Sequence, residues 1–325
     1  MTGVSIEVHL RPSDLAAQLR ADARAGLTSR PKWLPPRWFY DSRGSALFEE
    51  ITRLPEYYPT RAEREILAAQ AEELARLTTP KTLIELGSGA AEKTRLLLDA
   101  FRAEGSLGAF VPVDVSTSAL VEATGALADD YPGLHVRGMV ADFTRHLDRL
   151  PASGPRVVAF LGGTIGNLLP GDRARFLADL RSVLAPGEWL LLGADLVKDP
   201  AVLIPAYDDA AGVTAEFNRN VLHVLNRELG ADFDVDAFTH RARWDSEHEW
   251  IEMRLRAARP MTVRLSAIDT TVDFQDGEEL WTETSAKFRR EGLVAELAEA
   301  GFAVRRWWTD RRGWFSLSLA EAVLT

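Results

Sequence analysis

From about residue 60 the chain keeps a steady alternation of apolar and amphipathic stretches. Thr60-Arg-Ala-Glu63 has the pattern of a capping box and opens a helical run to about Leu77. Thr82–Leu86, Ala109–Val113, Val136–Val140, Val157–Leu161 and Trp189–Gly193 are short and apolar, and read as strands. Between them Glu92–Phe101, Ser118–Leu127 and Arg173–Leu184 carry helical spacing. Apolar strands separated by helices predict a parallel sheet covered on both faces.

The rhythm breaks after Asp195. Val202–Leu229 reads as one long helical segment. Phe238–Trp244, Trp250–Ala257, Met261–Leu265 and Thr270–Phe274 then alternate with period two, as antiparallel strands do. Leu293–Ala300 reads as a helix, and Ala303–Trp308 with Trp314–Leu319 as a closing strand pair. Near the start, Ser13–Leu27 has helical spacing with Ser13 as candidate N-cap. Pro31 to Tyr40 is rich in prolines and aromatics, and no helix can run through it. The expected fold is α/β. A Rossmann-like domain would span 60–196 plus 287–325, and an α+β substrate-binding lobe 12–59 plus 197–286.

Composition narrows the chemistry. Hydrophobic residues make up 46% and charged residues 26% of 325, which excludes wholesale disorder. A net charge of -10 speaks against binding to nucleic acid or to an anionic membrane. The absence of cysteine excludes disulfides, a thiol nucleophile and thiolate metal sites, and fits a reducing compartment. Met1 to Arg20 has no signal-peptide core, and no apolar run reaches the roughly 18 residues of a membrane span. A soluble cytoplasmic chain is expected. The six histidines show neither HExxH nor paired ligand spacing, and G-x-S-x-G is absent, so no metal is expected and no serine-hydrolase elbow.

The sharpest local signal is Leu83-Ile-Glu85-Leu-Gly87-Ser-Gly89, a strand entering a glycine turn and then a helix. Glycine allows a tight turn and a close approach of backbone to ligand. A third glycine would suggest a dinucleotide, but that position is Glu92, and a carboxylate there disfavours a pyrophosphate. Glu85 before the first glycine points instead to S-adenosylmethionine, whose sulfonium and ammonium are cationic. Asp114 ends the second strand, where a carboxylate can accept both ribose hydroxyls. Asp142-Phe143 follows the third, where the acid can take the adenine amino group and the ring can pack on the base. Gly162-Gly-Thr-Ile-Gly-Asn167 follows the fourth, where the methyl acceptor would lie, and Asn167 offers both a donor and an acceptor. These residues favour an S-adenosylmethionine-dependent methyltransferase over a nicotinamide-dependent oxidoreductase or a non-catalytic binding protein.

The sequence also resembles the histidine-specific Nα-methyltransferases of ergothioneine biosynthesis. The resemblance is carried by Pro35-Pro-Arg-Trp-Phe-Tyr40-Asp, Ile51 to Arg61 with Tyr57-Tyr58-Pro-Thr-Arg61, Glu85-Leu-Gly87-Ser-Gly89, Glu92-Lys93-Thr94 and Phe160 to Asn167. It continues through Ala194 to Asp199, Tyr207-Asp-Asp-Ala, Phe217-Asn-Arg-Asn220 and Glu283-Thr-Ser285-Ala-Lys-Phe-Arg289. It covers the chain from about residue 12. The resemblance implies a class I methyltransferase sheet and Nα-trimethylation of L-histidine to hercynine, and a monomer acting on this small molecule is expected. It implies cofactor contacts at Gly87, Lys93, Asp114, Asp142 and Phe143. Histidine would be held by Tyr57, Asn167, Tyr207, Glu283 and Ser285, with Met253 lining the pocket and Tyr57 and Asn167 gripping the α-amine and carboxylate. Thr284 and Gly163 differ from the residues of some relatives, and both flank contact positions. A fungal branch of the family takes tryptophan-type substrates, an alternative that a carboxylate at Glu283 opposes.

Overall fold

The computed structural model describes residues 4–89 and 91–324. In chain order its elements are β1 (Val4–Val8), α1 (Pro12–Thr28), β2 (Lys32–Trp33), α2 (Ser42–Arg53), α3 (Pro59–Thr78), β3 (Thr82–Leu86) and α4 (Thr94–Ala103). Next come β4 (Ala109–Asp114), α5 (Thr117–Asp130), β5 (His135–Val140), β6 (Arg156–Phe160), α6 (Pro170–Val183) and β7 (Trp189–Asp195). Then follow α7 (Pro200–Tyr207), α8 (Val213–Leu229), β8 (Phe238–Asp245), β9 (Trp250–Ala257), β10 (Met261–Leu265) and β11 (Thr270–Phe274). β12 (Glu279–Ala286), α9 (Arg290–Glu299), β13 (Phe302–Thr309) and β14 (Phe315–Ala322) complete the chain. Two compact units result: Met1–Leu10, Pro59–Val197 and Phe288–Thr325 form one, and Arg11–Tyr58 with Lys198–Lys287 the other.

The first unit holds an eight-stranded sheet in the order β1-β5-β4-β3-β6-β7-β14-β13. The strands from β1 to β7 pair in parallel, and β14 runs antiparallel to both its neighbours. β3 is buried along its whole length, as expected for a strand covered on both faces. From β3 the chain steps one way through β4 to β5 and then returns to β6 and β7 on the other side. The strand order therefore reverses beside β3, and ligands of open α/β sheets bind at such a crevice, outside the strands' carboxyl ends. β1 was not foreseen. It pairs in parallel with β5 at the edge of the sheet, with Ile6 half-buried and Val4 and Val8 exposed. At the far side of β7, Phe288 N–H donates to Asp195 O at 2.8 Å and Val197 N–H to Phe288 O at 3.0 Å. The chain thus leaves and re-enters this unit at neighbouring points.

In the second unit β2, β12, β9 and β8 form a four-stranded sheet, and β10 and β11 a separate hairpin. β12 was not foreseen as a strand. It pairs antiparallel with β9, and its register shifts between Trp281 and Glu283, so Thr282 is an extra residue. That shift reverses which side each half presents. Glu279 and Trp281 share a face with Arg254 and Arg256, whereas Glu283 and Ser285 share the opposite face with Met253 and Ile251. The first face carries a polar ladder: Arg243 and Arg254 both donate to Glu252, and Arg254 also to Glu279. The proline-rich stretch is packed chain. Phe39 and Phe48 lie 4.7 and 5.9 Å from Phe217 of α8, ring centre to ring centre.

Four local expectations are corrected. α1 is capped by the Asp14 carboxylate accepting from Arg11 N–H at 3.0 Å, and Ser13 lies inside the first turn. α4 starts at Thr94 rather than Glu92. The segment 202–229 is two helices, because the Asp209 carboxylate accepts from Val213 and Thr214 N–H and starts α8 afresh. Thr60-Arg-Ala-Glu63 is not a capping box: α3 begins at Pro59, and Glu63 turns inward, fully buried.

Candidate active site

In the first unit, every candidate cofactor residue stands at the carboxyl end of a parallel strand or in the turn after it. Gly87 and Gly89 have φ of +70° and +49°, a backbone that L side chains rarely adopt. The turn is held by Gly87 N–H donating to Val113 O at 2.8 Å and by Gly89 N–H donating to Asp114 Oδ2 at 3.0 Å. Asp114 Oδ1 also accepts from Ser116 N–H at 2.9 Å. Each carboxylate oxygen has lone pairs beyond those bonds with which to accept a hydroxyl. Burial raises the Asp114 carboxyl above its usual range, against the pull of these backbone N–H groups. Asp142 is buried, and its Oδ1 accepts from the Thr144 N–H and hydroxyl. Phe143 is fixed by Phe160 and Phe176, at 5.1 and 5.8 Å between ring centres. A Cβ at Gly87 would touch the Phe143 ring at 3.8 Å, so glycine keeps that face open.

Two carboxylates lie behind this turn. Glu85 accepts from the Thr94 hydroxyl at 2.5 Å, and burial pushes its carboxyl up to about 7, although Thr94 and Lys93 draw it down. Glu63 was missed in the sequence, where its spacing suggested a helix cap. It pairs with Lys93, and its Oε1 accepts from Gly162 N–H at 2.7 Å. A Cβ at Gly193 would overlap that oxygen, so Gly193 makes room for the acid. Glu63 thereby fixes both Lys93 and the glycine corner. Asn167 closes the short turn Thr164–Asn167 after that corner and is half-buried.

The structure of this half fits S-adenosylmethionine. The hydroxyl of Ser88, between the two glycines, is buried without a hydrogen-bond partner, a polar atom at the floor of a cradle that glycine leaves open.

The second unit gathers the other candidates. Glu283 and Met253 are directly opposed on β12 and β9. Ser285 lies two residues on, on the same face, and its Oγ is 2.8 Å from the Tyr207 hydroxyl. Tyr57 packs edge-on against Tyr207 and Phe48, at 6.4 and 6.1 Å. Lys287, absent from the sequence-based set, donates to Tyr207 Oη at 2.7 Å and to Ser285 Oγ at 2.9 Å. The period-two spacing Glu283, Ser285, Lys287 was a usable signal for it.

A buried relay backs these residues. Thr282 Oγ1–H donates to Asn218 Oδ1 at 2.7 Å, Asn218 Nδ2 lies 2.8 Å from His240 Nδ1, and His240 Nε2 lies 2.8 Å from Tyr207 O. An amide donor facing Nδ1 and a carbonyl facing Nε2 require the neutral ring with its proton on Nε2. Burial lowers the His240 pKa and favours that neutral form, against the carbonyl of Tyr207 and the charge of Asp208.

The sequence pattern of histidine-specific, SAM-dependent methyltransferases matches residues 19–322. The chain belongs to this family. It is an S-adenosylmethionine-dependent methyltransferase, and its strand order is that of the class I methyltransferase sheet. The chain is 55% identical to a histidine N-alpha-methyltransferase of Mycolicibacterium smegmatis over 317 residues, 98% of this chain and 99% of that one. It is 56% identical to the Mycobacterium tuberculosis protein of the same name over the same shares. An ergothioneine biosynthesis protein 1 of Neurospora crassa is 34% identical over 232 residues, 70% of this chain and 26% of that longer protein. Among the described residues no helix is long and apolar enough to cross a membrane.

Proposed function

We propose that this enzyme methylates the α-amino nitrogen of L-histidine three times, giving hercynine, the first step of ergothioneine biosynthesis. The names of the two mycobacterial relatives support the acceptor, and the fungal relative supports the pathway. The observation that carries the reading is the row of Glu283, Ser285 and Tyr207 around Met253. It offers an acceptor, hydroxyl donors and an apolar surface, the needs of an amino acid with an imidazole ring.

S-adenosylmethionine supplies an electrophilic methyl group whose sulfonium leaves as a neutral thioether. In this reading Asp114 accepts the ribose hydroxyls, Asp142 takes the adenine amino group, Phe143 packs on the base and Lys93 lies alongside at the Gly87 turn. Tyr57 and Asn167 hold the α-amine and carboxylate, with Tyr207 adding to the carboxylate clamp. Glu283 accepts the ring N–H and Ser285 serves the other ring nitrogen. The rate then comes mainly from positioning and from exclusion of water. The α-amine of a free amino acid is largely an ammonium near pH 7, stabilised by its own carboxylate, so one proton must leave to solvent before each of the three methyl transfers frees a lone pair for attack. Aromatic walls such as Tyr57 tolerate the growing ammonium head. The enzyme acts in the cytoplasm as a monomer, on a free small molecule, without nucleic acid, membrane or metal.

The test is a panel of free amino acids with labelled S-adenosylmethionine, read by product mass. Histidine should gain the mass of three methyl groups and tryptophan none. Turnover of another amino acid in preference to histidine would overturn the assignment.

A further inference from the structure

Glu63 is a buried ionisable group that no step of the methyl transfer uses. Its side chain is fully buried, whereas that of its partner Lys93 is 24% exposed, so a ligand meets the ammonium and not the carboxylate. The other oxygen, Oε1, accepts from Gly162 N–H at 2.7 Å, and a Cβ at Gly162 would stand 3.8 Å from Lys93 Nζ. The pair therefore lies behind the first residue of the glycine corner, where the reacting end of the methyl donor is expected. A buried ion pair is often no more stable than apolar side chains of similar volume, so stability does not account for an acid here. The charged groups around the Gly87 turn also sense one another. Burial above all pushes the Glu85 carboxyl up to about 7, the charges of Glu63 and Asp114 push the same way, and Lys93 pulls it down. The Lys93 ammonium suits the carboxylate of a methionine-derived donor but repels its sulfonium. Glu63 cancels that repulsion. After transfer the sulfur is neutral, and the product draws no such benefit from the acid.

We propose that Glu63 is a positioning residue that acts through Lys93 and Gly162 as the counter-charge of the sulfonium, so that the crevice favours S-adenosylmethionine over the thioether S-adenosylhomocysteine. The two ligands share every group except the methyl and its charge. The ratio of their dissociation constants therefore reads the charge at sulfur, while changes in packing, or in the grip of Lys93 on the carboxylate that both carry, cancel between variants. The inference concerns the donor and holds for any amine that is methylated. It rests on the cofactor reading of Lys93 and the Gly87 turn, which Asp114→Ala tests separately.

Both dissociation constants are measured by calorimetry, without histidine, on the wild type, on Glu63→Gln and on the double variant Glu63→Gln with Lys93→Met. The amide oxygen of Gln can still accept from Gly162 N–H, so the first substitution removes the charge and keeps the corner. In Glu63→Gln the dissociation constant of S-adenosylmethionine relative to that of S-adenosylhomocysteine should rise about tenfold or more, the effect of one unit charge lost at close range in a partly screened site. Adding Lys93→Met leaves an uncharged pair and should bring the ratio back to within about threefold of the wild type. An unchanged ratio in Glu63→Gln would confine the acid to packing, and a ratio still raised in the double variant would overturn the counter-charge. Should Glu63→Gln bind neither ligand, Lys93→Met is read by itself. That variant leaves the acid unpaired, so either the ratio falls or S-adenosylmethionine releases more protons on binding than it does with the wild type, measured by calorimetry in two buffers. If both effects are missing, the proposal is overturned. Failure of the histidine reading shows separately, as an amino-acid panel in which histidine is not methylated.

Discussion

Glu85 shows how one residue sets a pH dependence. Its folded carboxyl titrates near 7, whereas its ordinary value is 4.5. Between those values the folded chain keeps a proton that the unfolded chain has released. The contribution of this group to stability therefore falls as pH rises from about 4.5 to 7 and is level above that. The penalty is on the order of 2–4 kcal/mol. Glu85→Gln should remove it, so thermal melts of the ligand-free protein should show the variant gaining on the wild type as pH is raised from 5 to 8. A constant difference across that range would contradict the assignment. Two further substitutions separate the ligands. Glu283→Ala should weaken histidine binding roughly ten- to a hundredfold, the cost of about 1–3 kcal/mol for a lost polar partner, while S-adenosylmethionine binding holds. Asp114→Ala should do the reverse, weakening the cofactor first, in the same calorimetric assay.

At the scale of elements, legibility followed periodicity. β9, β10 and β11 have in the structure the bounds that alternation gave them, because each keeps one period from end to end. β12 does not. Read by simple alternation, Trp281 would join Glu283 and Ser285, and the extra Thr282 is what sends the indole to the opposite face. Glu63 misled for a related reason: the four-residue signature of a helix cap also occurs when an acid turns inward to meet Lys93 and Gly162. No local pattern could foretell the relay from Thr282 through Asn218 and His240 to Tyr207, since its members meet across four elements. That relay ends at the Tyr207 carbonyl and at Thr282, next to Glu283, two positions proposed to hold the substrate. Asn218→Ala leaves His240 Nδ1 without its amide donor, while Thr282 keeps the Met253 carbonyl at 2.9 Å and His240 Nε2 keeps the Tyr207 carbonyl. It should therefore cost about 1–3 kcal/mol in chemical denaturation and raise the KM for histidine more than that for S-adenosylmethionine. An unchanged ratio of the two KM values would confine Asn218 to stability.

At the scale of the whole molecule, the α/β rhythm made the first unit readable, and the switch to period two marked where the second takes over. The candidate site was legible in layers. Strand-end residues such as Asp114 and Asp142 followed from the sheet alone, whereas Tyr57, Met253 and Glu283 came only with the family resemblance. A division of labour between the units is testable by hydrogen exchange. S-adenosylhomocysteine should slow exchange around Gly87–Gly89, Asp114–Ser116 and Asp142–Thr144, and histidine should slow it in β9 and β12. Histidine protecting only the glycine turn would refute that division. The pairing of Phe288 with Asp195 and Val197 has a consequence for how such an enzyme changes over time. Because the ends of the excursion from 198 to 287 are stapled side by side, the sheet senses that they meet but not how long the loop-out is. Changes of length within this stretch are therefore tolerated by the stem, and exchanging it together with Arg11–Tyr58, with which it forms one compact unit, would retarget the catalyst to a new amine while the donor-handling framework is left alone.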